Sequence, residues 1–185
     1  MEERDVQIKG YRVRLPLDVF VVSTANPEDY TNRGRIVTPL KDRYGSQIHT
    51  HYPLDPKDEI AIMDQERARF PDEDSFVVPQ YMKEILAEIT AQARQSSEIN
   101  QRSGVSVRVS IANFETLLGN ALRRSIVHRD KWTCPRTSDL PFIAASFSGK
   151  IELETFEEGR ENRVTNDLTR KAVLRVFGDY FDLAD

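Results

Sequence analysis

The chain has 185 residues, 39% of them hydrophobic and 30% charged, with a formal net charge of -4. That length holds one domain or two small ones, and the charge excludes a general attraction to nucleic acid or anionic lipid. A single cysteine, Cys134, excludes an internal disulfide framework, no apolar run approaches the ~20 residues that span a bilayer, and the charged start MEERDVQIKG has no signal-peptide stretch, so the expected location is cytoplasmic.

Residues 1 to about 54 read as β-rich with loops. Val6, Ile8, Tyr11, Val13 and Leu15 flank Lys9-Gly10, which predicts a hairpin turning at Gly10 and ended by Pro16. Residues 19–22, Val-Phe-Val-Val, form a short continuous apolar run, the pattern of a strand buried on both faces. A polar loop at 23–38, a short helical stretch PLKDRYG and a second strand at 47–52 follow. A hairpin and two lone strands do not make a stable sheet. This part therefore reads as the edge of something larger.

From Asp55 onward the signals are helical. Asp55-Pro56-Lys57-Asp58 sets a capping carboxylate before a proline at the first helical position. That helix is predicted to run to about Phe70, before Pro71 and an acidic turn. Pro79 opens a second helix, with Met82, Ile85, Leu86, Ile89 and Ala93 on one face. A third begins near Ser106, with Val107, Ile111, Phe114, Leu118, Ala121 and Leu122 at helical spacing. A shorter one spans 137–147. The last covers 162 to about 180, with Val164, Leu168, Ala172, Leu174 and Phe177 expected to face inward. The fold class is mainly α with a small β portion.

A phosphate-cradling loop needs G-x-x-x-x-G-K-[ST]. The only Gly-Lys pair is Gly149-Lys150; Ile151 follows it, and Ala144 stands where the first glycine belongs. No apolar strand ends in paired acids that would hold magnesium. These residues do not build a P-loop ATPase site by themselves. What is present is Ser23-Thr24-Ala25-Asn26-Pro27 at the end of an apolar strand candidate. Ligands of open α/β sheets bind outside the carboxyl ends of strands. An asparagine there can orient a water or touch a γ-phosphate, or it can simply start an Asn-Pro turn. Ser103-Gly104-Val105-Ser106-Val107-Arg108 opens the third helix, with Ser106 as cap and Arg108 in a first turn that favours anions. His49 and His51 share one strand face, and His128 accompanies Cys134, but no ligand pattern completes a metal site around either pair. Arg123, Arg124, Arg129, Lys131 and Trp132 make a basic patch, which reads as a solvated helix end or subunit contact before it reads as a nucleic-acid surface.

The STANP segment followed by Pro39-Leu40-Lys41-Asp42-Arg43-Tyr44-Gly45 resembles AAA+ ATPases of the branch containing the magnesium-chelatase ATPase subunit and the MoxR proteins. In that branch a strand ends A-x-x-N-P and a loop leads to L-x-D-R-F-G; Tyr44 takes the aromatic place. The hairpin at 6–15 resembles the insertion preceding this strand. The resemblance implies that residues 1–54 are the C-terminal part of an AAA+ α/β core and 55–185 its helical lid. It implies Asn26 as sensor 1, Arg43 as an arginine finger reaching the neighbouring subunit's ATP, and Arg108 as sensor 2 on its own subunit's phosphates. It further implies Mg-ATP, a ring homo-oligomer, expected to be a hexamer, and a client protein, as in chelatase subunits or proteins with a metal-dependent adhesion domain. Without its P-loop the chain is expected to be inactive alone, as a C-terminal fragment of such an ATPase. The loop at 28–38 is longer than in a chelatase subunit, its Arg33 and Arg35 rank below Arg43 as the finger, and 127–136 looks added. These departures point to a chelatase-like relative. The rival expectation is a helical protein-interaction module with no nucleotide chemistry.

Overall fold

The computed structural model describes residues 5–14, 20–24, 43–155 and 159–181. The chain divides into two units, residues 1–50 and 51–185.

In unit 1, strands β1 (Asp5–Ile8) and β2 (Tyr11–Arg14) pair antiparallel, with Val6 opposite Val13 and Ile8 opposite Tyr11. The two-residue turn has φ of 48° at Lys9 and 84° at Gly10. Positive φ at both positions is the primed turn whose twist matches the flanking strands, which is why glycine sits there. The predicted hairpin is therefore formed. Two other strand expectations are corrected. Residues 20–24 form no strand, and Phe20 is 93% and Val22 74% exposed. The segment 46–53 is likewise irregular, with Ile48 87% exposed. A strand buried on both faces needs a sheet to pair with and layers that cover it, and among the described residues β1 and β2 pair only with each other. The helical stretch expected at 39–45 lies mostly outside the described residues.

Unit 2 is helical. Helix α1 (Pro56–Glu66) opens as its sequence dictates: Asp55 Oδ1 accepts from Lys57 N at 2.8 Å, and Pro56 fills the first position without losing a helical bond. It ends at Glu66, short of Phe70. Arg67 turns extended, and side chains take over the backbone donors: Ala68 N bonds Glu115 and Phe70 N bonds Glu73. Helix α2 (Gln80–Ala93) carries the inward face read from its sequence, with Met82, Ile85, Leu86, Ile89 and Ala93 all buried. Ala87, Glu88 and Thr90 are buried as well, because α2 packs against α1, α3 (Arg108–His128) and α5 (Arg160–Tyr180) at once. Each Leu or Ile sequestered this way contributes about 1.5–3 kcal/mol relative to exposure.

The short helix expected at 137–147 is two pieces. Residues Thr137–Ile143 wind as a 3-10 helix containing Pro141, and α4 (Ala144–Ser148) continues them. Proline removes a donor from the α-helical ladder, which suits the first piece to the tighter winding. The inward face of α5 also needs correcting. Val164, Leu168, Ala172 and Val176 are buried, whereas Leu174 is 65% and Phe177 46% exposed. The steady four-residue spacing of the buried set defines the stripe, and 174 and 177 fall off it. No described helix is long and apolar enough to cross a membrane.

Candidate functional site

The sequence-predicted residues fall in both units. Asn26 lies outside the described residues, as do Arg33 and Arg35. Arg43 sits in a turn and is exposed. The next residue, Tyr44, accepts a hydrogen bond at 2.8 Å through its hydroxyl from the Ser23 hydroxyl. The contact joins the segment leading to Asn26 and the segment carrying Arg43, although Ser23 and Tyr44 are 21 positions apart. His49 is exposed, and His51 spends Nδ1 on the Tyr52 carbonyl at 2.8 Å. Among the described residues no group of three or more His, Cys, Asp or Glu could hold a metal ion.

In unit 2, Arg108 lies in the first turn of α3. Ser106 Oγ accepts from Arg108 N at 3.3 Å, and Val109 N bonds the Ser106 carbonyl at 2.9 Å. The cap position is nevertheless Val107, which makes no side-chain cap hydrogen bond, so the expectation of Ser106 as the cap is corrected: its hydroxyl takes the Arg108 N–H from one residue before the cap. The Arg108 side chain is exposed, and among the described residues its guanidinium makes no ion pair.

Behind this turn lies a polar network that the sequence reading missed. Glu59 is 2% exposed and accepts from Arg94 Nη1 at 2.9 Å and Nη2 at 3.1 Å. The Ser110 hydroxyl donates to Glu59, and Ser110 Oγ lies 2.7 Å from Thr90 Oγ1. Arg94 Nε reaches the Val105 carbonyl at 3.0 Å, and its guanidinium sits over the Tyr52 ring, 4.6 Å from the centroid. One sequence signal could have found it: Glu59 adjoins Ile60 on the same helical stripe as Met63, and a charge on an apolar stripe needs a partner.

A second network closes the loop after α3. Asp139 accepts from Arg124 Nη2 at 2.9 Å, from Asn120 Nδ2 at 2.8 Å and from Arg136 N at 2.8 Å. Arg124 Nη2 also bonds the Cys134 carbonyl at 2.6 Å. The basic patch is therefore largely committed internally: Arg124 to Asp139, Arg123 to the Phe142 ring and Lys131 to the Trp132 ring. Burial pushes the Asp139 carboxyl up, but the Arg124 guanidinium and the Arg136 N–H outweigh it and hold the group below its usual value. A depressed carboxylate stabilises the fold above its unfolded value of about 3.9, and that contribution is lost as pH falls through the folded value. Asp139→Asn is accordingly expected to flatten the loss of stability below about pH 4. Urea midpoints measured from pH 7 down to pH 3 check this; an unchanged acid limb would refute it.

An open groove of about 580 Å³ runs between the 3-10 turn and α5, lined by Leu140, Pro141, Thr169, Arg170, Val173 and Leu174 among others. None of the predicted site residues lines it. Gly149 and Lys150 follow the last residue of α4, with Lys150 N bonded to the Phe147 carbonyl at 3.0 Å. A phosphate-cradling lysine sits where a helix begins, so this pair has the wrong polarity for that task. Comparison with protein-family models, with curated proteins and with solved structures finds no match to the chain.

Proposed function

We propose that the chain carries the sensor and lid elements of an AAA+ ATPase of the magnesium-chelatase and MoxR branch. The observation that carries the reading is Arg108: an exposed guanidinium that makes no ion pair among the described residues, in the first turn of a helix anchored in the core. Two positive features, the side chain and the helix dipole, point the same way there. The Ser23–Tyr44 contact supports the companion roles, since it keeps the run before Asn26 beside the Arg43 turn. In this reading 1–54 belongs to the core and 55–185 is the lid. Asn26 orients the attacking water, Arg43 reaches the ATP of the next subunit of a homo-oligomeric ring, proposed to be a hexamer, and Arg108 binds the phosphates of its own subunit. ATP hydrolysis then remodels a client protein, of chelatase type or with a metal-dependent adhesion domain, in the cytoplasm. No acid cluster among the described residues fits magnesium, so the proposal assigns the metal no ligand from them.

The test is to read the genomic frame upstream of Met1 and express what it encodes. A G-x-x-x-x-G-K-[ST] segment that gives ATPase activity, joined to the chain or supplied in trans, supports the proposal. A frame that lacks one would refute it, as would turnover by the 185-residue chain alone that survives both Arg43→Ala and Arg108→Ala.

The second reading, a helical interaction module, draws on the outer face of α5. Leu174 is exposed there, and Phe177 stacks on an exposed Phe181 with ring centroids 4.5 Å apart. It predicts no nucleotide dependence in any longer form of the protein.

A further inference from the structure

Arg108 stands at the middle of a short segment gripped on both sides by one ion pair. Before it, the Val105 carbonyl accepts from Arg94 Nε at 3.0 Å. After it, the Ser110 hydroxyl donates to Glu59. Glu59 and Arg94 are joined by two hydrogen bonds at 2.9 and 3.1 Å. Val105, Val109 and Ser110 are all 0% exposed, so the grip is internal.

This arrangement fixes the rotation of α3 about its own axis. Two residues of α-helix turn the side-chain direction by about 200°. With Ser110 held inward, Arg108 must point outward. The Arg94–Val105 bond prevents the preceding loop from sliding along the helix axis. Gly104 allows the loop to approach so closely: its φ is +69°, and a Cβ there would collide with the Tyr52 hydroxyl. Tyr52 itself covers the outer face of Arg94.

We infer that Glu59, Arg94 and Ser110 are positioning residues for Arg108, and that they set how tightly its guanidinium holds a polyphosphate. The inference rests on the reading of Arg108 as a phosphate-binding residue. None of the three touches the ligand. They act by fixing the backbone that carries Arg108 before the ligand arrives, so that only the side chain itself remains to be ordered at binding. Thr90 completes the set by contacting Ser110 Oγ from α2.

The experiment uses the ATPase that contains this chain and reads the Kd and KM for ATP against kcat. Arg108→Ala is the reference. Ser110→Ala, which leaves the ion pair whole, and Glu59→Gln, which keeps the shape but removes the charge, are each expected to weaken ATP binding by about three- to tenfold. In the Arg108→Ala background neither is expected to weaken it further. Leu168→Ala on the inner face of α5 is the structural control: it lowers the thermal midpoint and leaves ATP affinity alone. Failure of Arg108→Ala to change nucleotide affinity would overturn the phosphate reading itself. An effect of Arg108→Ala, with Ser110→Ala and Glu59→Gln binding ATP as the parent does, would overturn the positioning role alone. Further weakening in the Arg108→Ala background would do the same. Should Glu59→Gln not fold, Ser110→Ala decides the matter.

Discussion

Arg43→Ala, made in the longer ATPase to which we propose this chain belongs, is expected to lower kcat for ATP hydrolysis by about 10³–10⁵-fold while largely sparing ATP binding. The reasoning is electrostatic. Charge develops on the transferred phosphoryl group in the transition state, and a guanidinium fork placed against it acts there far more than in the ground state. Arg43 is exposed, in a turn, and next to a tyrosine tied back to Ser23. That is a suitable mount for a side chain that serves a neighbouring subunit. Arg43→Lys is not expected to rescue, because an ammonium presents no planar fork. Mixing Arg43→Ala subunits with subunits disabled in their own P-loop should restore part of the activity, since each supplies what the other lacks. Equal loss of ATP binding and of hydrolysis would contradict a residue that works across the subunit boundary.

Arg94→Ala is expected to destabilise unit 2 by about 3–5 kcal/mol, the cost of leaving one member of a buried pair without its partner. The Glu59 side chain is 3% exposed and the Arg94 side chain 14%, so water cannot replace what is removed. The Val105 carbonyl loses its donor and the Tyr52 ring its cation in the same step. The pair Arg69–Glu73 is a useful contrast. It spans 3.9 Å with the arginine side chain 70% exposed, and exposed pairs contribute about 0–1 kcal/mol. Denaturant unfolding followed by circular dichroism should therefore show a large fall in midpoint for Arg94→Ala, with unchanged slope, and almost none for Arg69→Ala. Replacing both Glu59 and Arg94 with apolar residues of similar volume should recover much of the loss, because no buried charge is then stranded. A small effect of Arg94→Ala would mean that the site is wetter than its burial implies.

The helices of unit 2 were legible because their signals are local. The Asp55-Pro56 start and the stripe from Met82 to Ala93 each depend on residues within a turn or two. The Lys9-Gly10 turn was legible for the same reason. Two features failed for want of non-local information. Whether Val-Phe-Val-Val becomes a strand depends on neighbours at its edges, which the run itself does not encode. The inward face of α5 depends on where α2 and α4 lie, and that selected Val176 over Leu174 and Phe177. The polar network was hidden for a related reason: its members come from positions 52, 59, 90, 94, 105 and 110, and no sequence window contains them all. As for the candidate site, Arg43 and Arg108 were proposed from motif order, and their surroundings became visible only through the fold.

The loops of unit 2 are stitched to one another across long stretches of chain. Val77 N bonds the Thr133 carbonyl, and Thr133 N bonds the Ser75 carbonyl, each at 2.9 Å. Asn100 N bonds the Glu152 carbonyl at 2.8 Å, and Glu154 N bonds the Glu98 carbonyl at 3.0 Å. An up-and-down helical bundle would close few such distant contacts. Each one must bring remote segments together before it yields any energy, and closure of that kind slows the search for the native state. Refolding of unit 2 is thus expected to be set less by how fast its helices wind than by how long residues 75–77 take to meet 133, and residues 98–100 to meet 152–154.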